Sequence, residues 1–562
     1  MSDSAFYQEH TLELIGLHDQ VQTSVNLLDS LEGFLSKFQK DLSAVSGQIS
    51  DLQNRSKDID ARLKSRRKIE KPLSNLLTEI CIPPALATLI LDTEVGEPWI
   101  TGIQDFEGHL LALEPRTKLK SVKDLSSLGE GLRIVAATKL RLFFLNLLTP
   151  IKTSMSTNLP VLQNSILLKY RPLYVFLLRH VPDVAAEIQR AYTGATRTYY
   201  ETGFRRYLRT LTAVKSRSSE RSESIAAPPK MEEPDVDWDR LANATLEGSA
   251  ATLAYMTEDK AFKEPTEALF RSMMMTLLDN STVEYAFVVK FFTKDPSPPP
   301  PRSPLVSPTT PRSFMRRDSG AGQESTFDAD EATPRAKQMQ VLHEEGVSKE
   351  DKAAAEGIWK HIFDPVLQYC DNFLKTILDS SPVVTPLLTM IRLNDAIISE
   401  CSVRDCPPLE SFAFGLRLVM WPVLQKDITG QVDSLKKLID STTAGYLTKV
   451  TIKDNHVQAI ARRYAVLFAS WTALTVDEEA MIFSNLGRLR QELSRLITMQ
   501  ANKIKDPAQN ASYLVALYEI ILHFFSSQSN GRISTHPKAQ SEISFWREKE
   551  DQARRRIQSI RK

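Results

Sequence analysis

The fold is decided by residues 14–66, which read LIGLHDQVQTSVNLLDSLEGFLSKFQKDLSAVSGQISDLQNRSKDIDARLKSR. Apolar residues recur here every three and four positions, so a single heptad register with Leu14 at position a holds throughout the stretch. Thirteen of the sixteen a and d positions are apolar: Leu14, Leu17, Val21, Leu28, Leu31, Leu35, Phe38, Leu42, Val45, Ile49, Leu52, Ile59 and Leu63. We call these thirteen side chains the seam. The pattern predicts a long coiled-coil helix used for subunit assembly.

The seam requires a facing helix, because each large apolar side chain left in water forgoes about 2 to 3 kcal/mol of transfer free energy. Val25, Leu27 and Phe34 at the flanking e and g positions widen the apolar face near its middle. A face of this width is typical of a bundle of three or more helices rather than of a two-stranded coil. Three arrangements stay open: folding back onto the chain's own body, homodimerisation, and a bundle with helices of other proteins, which we favour.

Composition indicates an all-helical protein with several domains. At 562 residues the chain exceeds what one hydrophobic core usually serves. Lys and Arg number 70 against 69 Asp and Glu, a balance that argues against a general nucleic-acid binder. Glycine is scarce and amphipathic patterns of helical period are long. We therefore predict an all-α fold, with an N-terminal coiled coil followed by a helical-bundle rod and with disordered insertions.

Prolines and shifts in composition divide the chain into segments, because proline ends or kinks helices and polar, proline-rich stretches cannot build a core. Pro72 is expected to interrupt the first helix, and Pro83 and Pro84 to close it. The predicted segments are a coiled coil (1–80), a helical bundle (81–214), a flexible linker (215–237), a short helical segment (238–294), a disordered Pro/Ser-rich insertion (295–350), a C-terminal helical-bundle rod (351–540) and a basic tail (541–562). The clearest C-terminal helices are expected at 358–378, 410–440 with a kink at Pro422, 455–473, 477–504 and 511–527.

Residues 162–212 contain a dense set of aromatic side chains. Its members are Tyr170, Tyr174, Phe176, Tyr192, Tyr199, Tyr200, Phe204 and Tyr207. Aromatic residues spaced along amphipathic helices usually form the packing core between helices. We expect that role here, rather than a platform on which nucleic-acid bases stack.

The sequence contains none of the familiar catalytic motifs. A phosphate-binding glycine loop followed by Lys-Ser/Thr, a G-x-S-x-G elbow and an H-E-x-x-H pair are all missing. Cys401 and Cys406 are five residues apart without a second Cys or His pair nearby, which makes a metal site a poor expectation. Four scattered cysteines fit a reducing compartment. We expect no enzyme, no cofactor and no metal.

The start of the chain lacks the basic and apolar regions of a secretory signal, and no run approaches the ~20 apolar residues that cross a bilayer. We therefore expect a cytosolic protein that reaches membranes only through partners.

Residues 34–68 resemble the N-terminal coiled coil of the Vps52 family, which are subunits of the GARP and EARP vesicle-tethering complexes. The positions that fit the family pattern are Phe38, Gln39, Asp41, Leu42, Val45, Ser46, Ile49, Leu52, Gln53, Arg55, Ser56 and Leu63. The aromatic block between Leu168 and Tyr207 looks like the most characteristic part of the family. Trp421-Pro422-Val423 and residues 433–438 are similar to its C-terminal region. The proline-rich insertion departs from the pattern.

The resemblance implies a non-enzymatic subunit of a complex that captures endosome-derived vesicles for retrograde transport to the trans-Golgi network, supporting vacuolar protein sorting and recycling. The implied partners are the other GARP or EARP subunits, joined through N-terminal coiled coils, together with a Rab GTPase and SNAREs. The implied location is cytosolic, peripheral on trans-Golgi network and endosome membranes. The alternative from another class is a homodimeric coiled-coil scaffold associated with the cytoskeleton or with chromosomes.

Overall fold

In the computed structural model the described residues are 10–113, 120–154, 156–218, 223–229, 234–247, 251–293, 349–379, 383–443, 452–475, 480–527 and 535–561. Within these ranges every regular element is a helix and no strand occurs. The all-α prediction is therefore confirmed. The predicted disordered insertion, 295–350, lies outside the described residues except for its last two positions, which begin a helix.

The chain divides into two compact units, and the first contains the described parts of 1–91 and 105–132. Its main element is helix α1, Thr11–Ile80. With 70 residues, α1 would measure about 105 Å if straight. The other helices that contribute to this unit are α2 (Pro84–Asp92), the second half of α3 (Pro98–Leu113) and the first half of α4 (Lys120–Leu147).

Only the C-terminal end of α1 is packed within the first unit. Ile80 and Leu113 are buried against each other, and Leu76 and Leu125 pack against this pair. The Nδ1 atom of His109 lies 2.7 Å from the carbonyl oxygen of Glu79. This small core anchors α1 at one end and leaves the rest of the helix without tertiary packing.

The expected interruption at Pro72 is wrong, because α1 runs through this residue to Ile80. A proline inside a helix removes one backbone hydrogen bond and crowds the preceding turn, but the turns on either side stay bonded. The helix ends where Cys81 adopts an extended backbone, two residues before Pro83. The paired prolines, not Pro72, therefore close it.

The second unit consists of residues 92–104 and the described part of 133–561. Besides the remainders of α3 and α4, its helices are α5 (Thr149–Thr153), α6 (Leu159–Val161), α7 (Arg171–His180), α8 (Pro182–Arg217), α9 (Trp238–Leu241), α10 (Thr266–Phe292), α11 (Lys349–Asp379), α12 (Val384–Val403), α13 (Pro407–Thr443), α14 (Asp454–Leu474), α15 (Ala480–Ala501), α16 (Pro507–Ser527) and α17 (Pro537–Arg561). Neighbouring helices pack in pairs: α8 with α11, α12 with α13, and α16 with α17. The five expected C-terminal helices are all present with slightly different ends, whereas α12 was not expected.

The aromatic block forms core, as expected. Tyr174, Phe176, Tyr192, Tyr200 and Phe204 are all buried. The ring of Tyr174 stacks on Phe291 of α10 at a centroid distance of 4.8 Å. These rings join α7 and α8 to α10.

Part of the predicted flexible linker is packed. Ile225 is buried, and its backbone N–H donates to the side-chain oxygen of Gln431 at 2.6 Å. Arg463 donates to the carbonyl oxygen of Pro228 at 2.8 Å. Residues 223–229 thus lie against α13 and α14, because side chains far away in the sequence satisfy their backbone groups.

The predicted basic tail is also packed, since 541–561 belong to α17. Trp546 is completely buried and Glu542 nearly so. The carboxylate of Glu542 accepts hydrogen bonds from the Tyr464 hydroxyl at 2.5 Å, from Trp546 Nε1 at 2.6 Å and from Arg490 at 2.9 Å. A buried charge with three donors anchors this helix, while Arg547, Arg554, Arg555 and Arg556 are exposed.

A second buried carboxylate joins three segments of the second unit. Glu284 on α10 accepts hydrogen bonds from the hydroxyls of Tyr192 at 2.6 Å and Tyr200 at 3.2 Å, both on α8. Gln163, in the π-helical turn Leu162–Leu167, donates from Nε2 at 2.6 Å. Burial raises the pKa of Glu284 to about 7, although the three hydrogen bonds act in the opposite direction.

We expect Glu284→Gln to weaken the pH dependence of local stability around α10. The pKa of Glu284 in the folded protein, about 7, lies above the ordinary value of 4.5. This group therefore favours the folded state fully below pH 4.5, and its contribution is lost as the pH rises through 7. Native-state hydrogen exchange should show α10 amides of the unaltered chain losing protection across this window, by up to about 3 kcal/mol. An equal loss in the variant would contradict the assignment.

Candidate assembly surface

The candidate functional surface is the seam along α1. All thirteen predicted residues lie on this helix, and each is exposed, between 45% for Leu31 and 64% for Leu52. Ser24, a polar d position, returns its hydroxyl to the carbonyl oxygen of Gln20 at 2.7 Å and so presents no free donor on this face. The structure therefore places a continuous, uncovered apolar stripe on one helix.

The sequence favours a helix here because the residues between the seam positions are mostly polar and include several good helix formers. Arg62 and Asp58, one turn apart, form an ion pair at 2.8 Å. An isolated ion pair of this kind adds only a few tenths of a kcal/mol. Most helical stability in proteins comes from packing of an amphipathic face, and such packing within the first unit is confined to the C-terminal end of α1.

The exposed apolar face is widest in its first half. Val25, Leu27 and Phe34 are exposed beside the seam, and the ring of Phe34 is nearly parallel to that of Phe38 at a centroid distance of 6.2 Å. In the second half the g positions carry polar side chains: Asp41, Gln48, Arg55 and Arg62. The first half therefore suits more than one partner helix, and the second half a narrower contact.

The sequence reasoning missed the continuation of the seam beyond Pro72. Leu73 and Leu77 occupy the next d and a positions of the same register, and both are exposed. Ile80 occupies the following d position and enters the small core of the first unit. The heptad register continues to these positions in the sequence, but the helix was expected to be interrupted at Pro72.

The structure also places the cysteine pair that the sequence singled out. Cys401 and Cys406 are buried, and burial raises the pKa of each thiol to about 12. The thiolate, which is the nucleophile and metal ligand, is therefore disfavoured at both positions. In the described part of the chain no group of three or more His, Cys, Asp or Glu side chains is placed to hold a metal ion.

Two helical stretches, Thr11–Asp92 and Lys123–Thr153, are long and apolar enough to cross a membrane by length and composition. Neither stretch contains an uninterrupted run of ~20 apolar residues, because polar side chains interrupt both. The first stretch is not one continuous helix, because α1 ends at Ile80 and α2 begins at Pro84. In the second stretch Leu140 and Phe144 are buried, whereas Ile134 and Leu142 are exposed.

Comparison with known proteins gives consistent matches along the chain. The family described as "Vps52/Sac2 family, coiled-coil" matches residues 6–177, and "Vps52, C-terminal" matches 239–297 and 348–545. Vacuolar protein sorting-associated protein 52 A of Arabidopsis thaliana is 25% identical over 556 residues, covering 94% of this chain and 68% of the relative.

The human homologue of vacuolar protein sorting-associated protein 52 is 23% identical over 537 residues, covering 92% of this chain and 65% of the relative. The Saccharomyces cerevisiae protein is 21% identical over 570 residues, covering 88% of this chain and 80% of the relative. This chain thus spans about two thirds of the length of its plant and human relatives. No solved structure matches it.

We predict that replacing Leu35, Phe38 and Leu42 together by Asp abolishes co-purification of the proteins that bind α1. Each carboxylate would have to be buried in the facing apolar surface, which costs several kcal/mol. Quantitative mass spectrometry of tagged, purified protein measures the loss. Limited proteolysis should show the second unit unchanged.

The matched control replaces Ser36, Ser43 and Ser50 by Asp. These serines occupy successive b positions, away from the seam on the same helix. Their replacement by Asp adds the same three negative charges as the seam variant. The control variant should retain its partners. Equal recovery of partners with both triple variants would contradict a role for the seam in assembly.

Proposed function

The chain belongs to the Vps52 family, and on that premise we propose that it is a non-enzymatic subunit of a multisubunit tethering complex of the GARP or EARP type. The observation that carries the proposal is the seam: thirteen apolar side chains on one 70-residue helix, every one of them exposed. Side chains of this kind are stable in water only when other helices cover them. The function of α1 is then to join this chain to other subunits.

In this proposal the complex captures endosome-derived vesicles for retrograde transport to the trans-Golgi network. A Rab GTPase and SNAREs are the further partners, and the protein lies peripherally on trans-Golgi network and endosome membranes. The resemblance to the family supports these finer points. The names of the relatives associate those proteins with vacuolar protein sorting.

Tethering of this kind requires geometry rather than covalent chemistry. A helix of about 105 Å gives reach, and several weak contacts on one assembly act together through high effective concentration. The two buried carboxylates, Glu284 and Glu542, are each held by three hydrogen-bond donors inside the second unit. Their arrangement serves packing and supports the proposal that no reaction is catalysed there.

The homodimeric scaffold remains the competing function, and the width of the apolar face weighs against it. In a two-stranded coil the e and g positions lie at the rim and are usually charged. Val25, Leu27 and Phe34 would stay largely in water there. A bundle of more than two helices buries them.

We predict that the full chain expressed alone forms polydisperse assemblies, because nothing of matching width covers the seam. Co-expression with the other subunits of the complex should give one species containing a single copy of each chain. Light scattering coupled to size exclusion measures both masses. A stable homodimer of the isolated chain, with α1 protected from hydrogen exchange, would favour the scaffold instead.

A further inference from the structure

The second unit contains a cavity of about 200 Å³ between α8 and α10. Its α8 side is formed by four aromatic residues and a glycine: Tyr199, Tyr200, Gly203, Phe204 and Tyr207. Thr276 and Asn280 of α10 line the other side. An engineered cavity of about 150 Å³ binds benzene, so this one has room for a single large side chain.

The aromatic walls offer ring surface rather than free hydroxyls. The Tyr199 hydroxyl donates to the carbonyl oxygen of Thr157 at 3.0 Å, and that of Tyr207 to the carbonyl oxygen of Thr252 at 2.9 Å. The Tyr200 hydroxyl donates to buried Glu284. Each ring is thereby fixed in place. A preformed aromatic box favours an apolar guest, and above all an aromatic one.

One polar group of the cavity is available to orient a guest. Asn280 donates from Nδ2 to the carbonyl oxygen of Thr276 at 2.8 Å. Its carboxamide oxygen makes no hydrogen bond to any described residue. The hydroxyl of Thr276 is already engaged with the carbonyl oxygen of Ser272 at 2.8 Å. An apolar cavity with one free acceptor suits a peptide residue that inserts its side chain while its backbone N–H donates to the Asn280 oxygen.

One exposed cation lies beside the cavity. Arg206 of α8 is exposed and forms no ion pair with a residue in the described ranges, whereas Arg205 and Arg209 lie on the face of the helix opposite to Tyr200, Gly203 and Tyr207. Arg206 lies one turn from Gly203. On α10, Asp279 is already paired with Arg404 at 3.0 Å. A guest with carboxylates next to its apolar side chain would therefore find complementary charge.

We propose that this cavity binds one aromatic or branched aliphatic side chain of an acidic peptide segment from a partner protein. The side chain fills the aromatic box, the Asn280 oxygen accepts a backbone N–H, and Arg206 attracts a neighbouring Asp or Glu residue. No residue of α1 contributes. The site is thus independent of the assembly surface and of the function proposed for it.

The test uses the full chain in the assembly with which it co-purifies, and a phage-displayed library of random twelve-residue peptides as the probe. Gly203→Phe places a ring where an added Cβ meets no heavy atom within 4 Å, so the ring can occupy the cavity. Gly194→Phe is the matched control, because it lies on the same helix with equally open surroundings. Both changes replace a helical glycine by a better helix former, so neither should destabilise α8.

We expect the selected peptides to share one aromatic or branched aliphatic residue flanked by Asp or Glu. Fluorescence anisotropy should show their affinity reduced at least about tenfold by Gly203→Phe, which is 1.4 kcal/mol or more, and unchanged by Gly194→Phe. Arg206→Glu should lower the affinity for these peptides and make that affinity less sensitive to salt concentration. Arg190→Glu, an exposed arginine farther along the same helix, should change neither.

Several results would overturn the proposal. A library that yields no binder, or binders without a common apolar residue, would remove the cavity as a peptide site. So would equal affinities of the two glycine variants. Binding of phosphatidylserine vesicles that depends on Arg206 and is unaffected by Gly203→Phe would make this surface a membrane contact instead. In each case co-purification through α1 would remain intact, so the two proposals fail separately.

Discussion

The structure depends on one unmet requirement, the coverage of the apolar face of α1. Each seam residue remains about half exposed although it belongs to a well-formed helix. Backbone hydrogen bonds alone seldom stabilise such a helix in water, because helix stability in proteins comes mainly from packing. In the assembly proposed above, the contact that covers the seam would therefore also keep the helix formed.

In the second unit, by contrast, the large apolar side chains and the buried charged groups are covered by the unit's own helices. Three of its tryptophans, Trp359, Trp471 and Trp546, are fully buried, and the buried carboxylates of Glu284 and Glu542 each have three donors. A buried carboxylate is tolerable only when it is satisfied in this manner or neutralised, and burial raises the pKa of both. The core of this unit is formed by its own helices.

Local periodicity was sufficient to predict the helical class, the seam and most C-terminal helices, because these depend on residues three and four apart. Features made by distant residues were not predictable. Residues 223–229 look like a polar linker until Gln431 and Arg463 satisfy their backbone groups. The tail is packed because Tyr464 and Arg490 reach Glu542. The cluster around Glu284 joins residues that lie 84 to 121 positions away, and no spacing rule reveals it.

The mismatch between heptad and helix adds a constraint on whatever covers α1. A repeat of seven residues drifts by roughly 20° per heptad on a straight helix, so over seven heptads the seam turns by about 140° around α1. Partners that stay in contact from Leu14 to Leu63 must wind around α1 in a left-handed sense. The face they meet also narrows along the way, from the region of Phe34 to the polar flanks beyond Asp41. A bundle whose helices begin or end at different levels matches both halves better than a single uniform partner helix does. The physics of the seam alone thus favours the kind of assembly that the family relationship suggests.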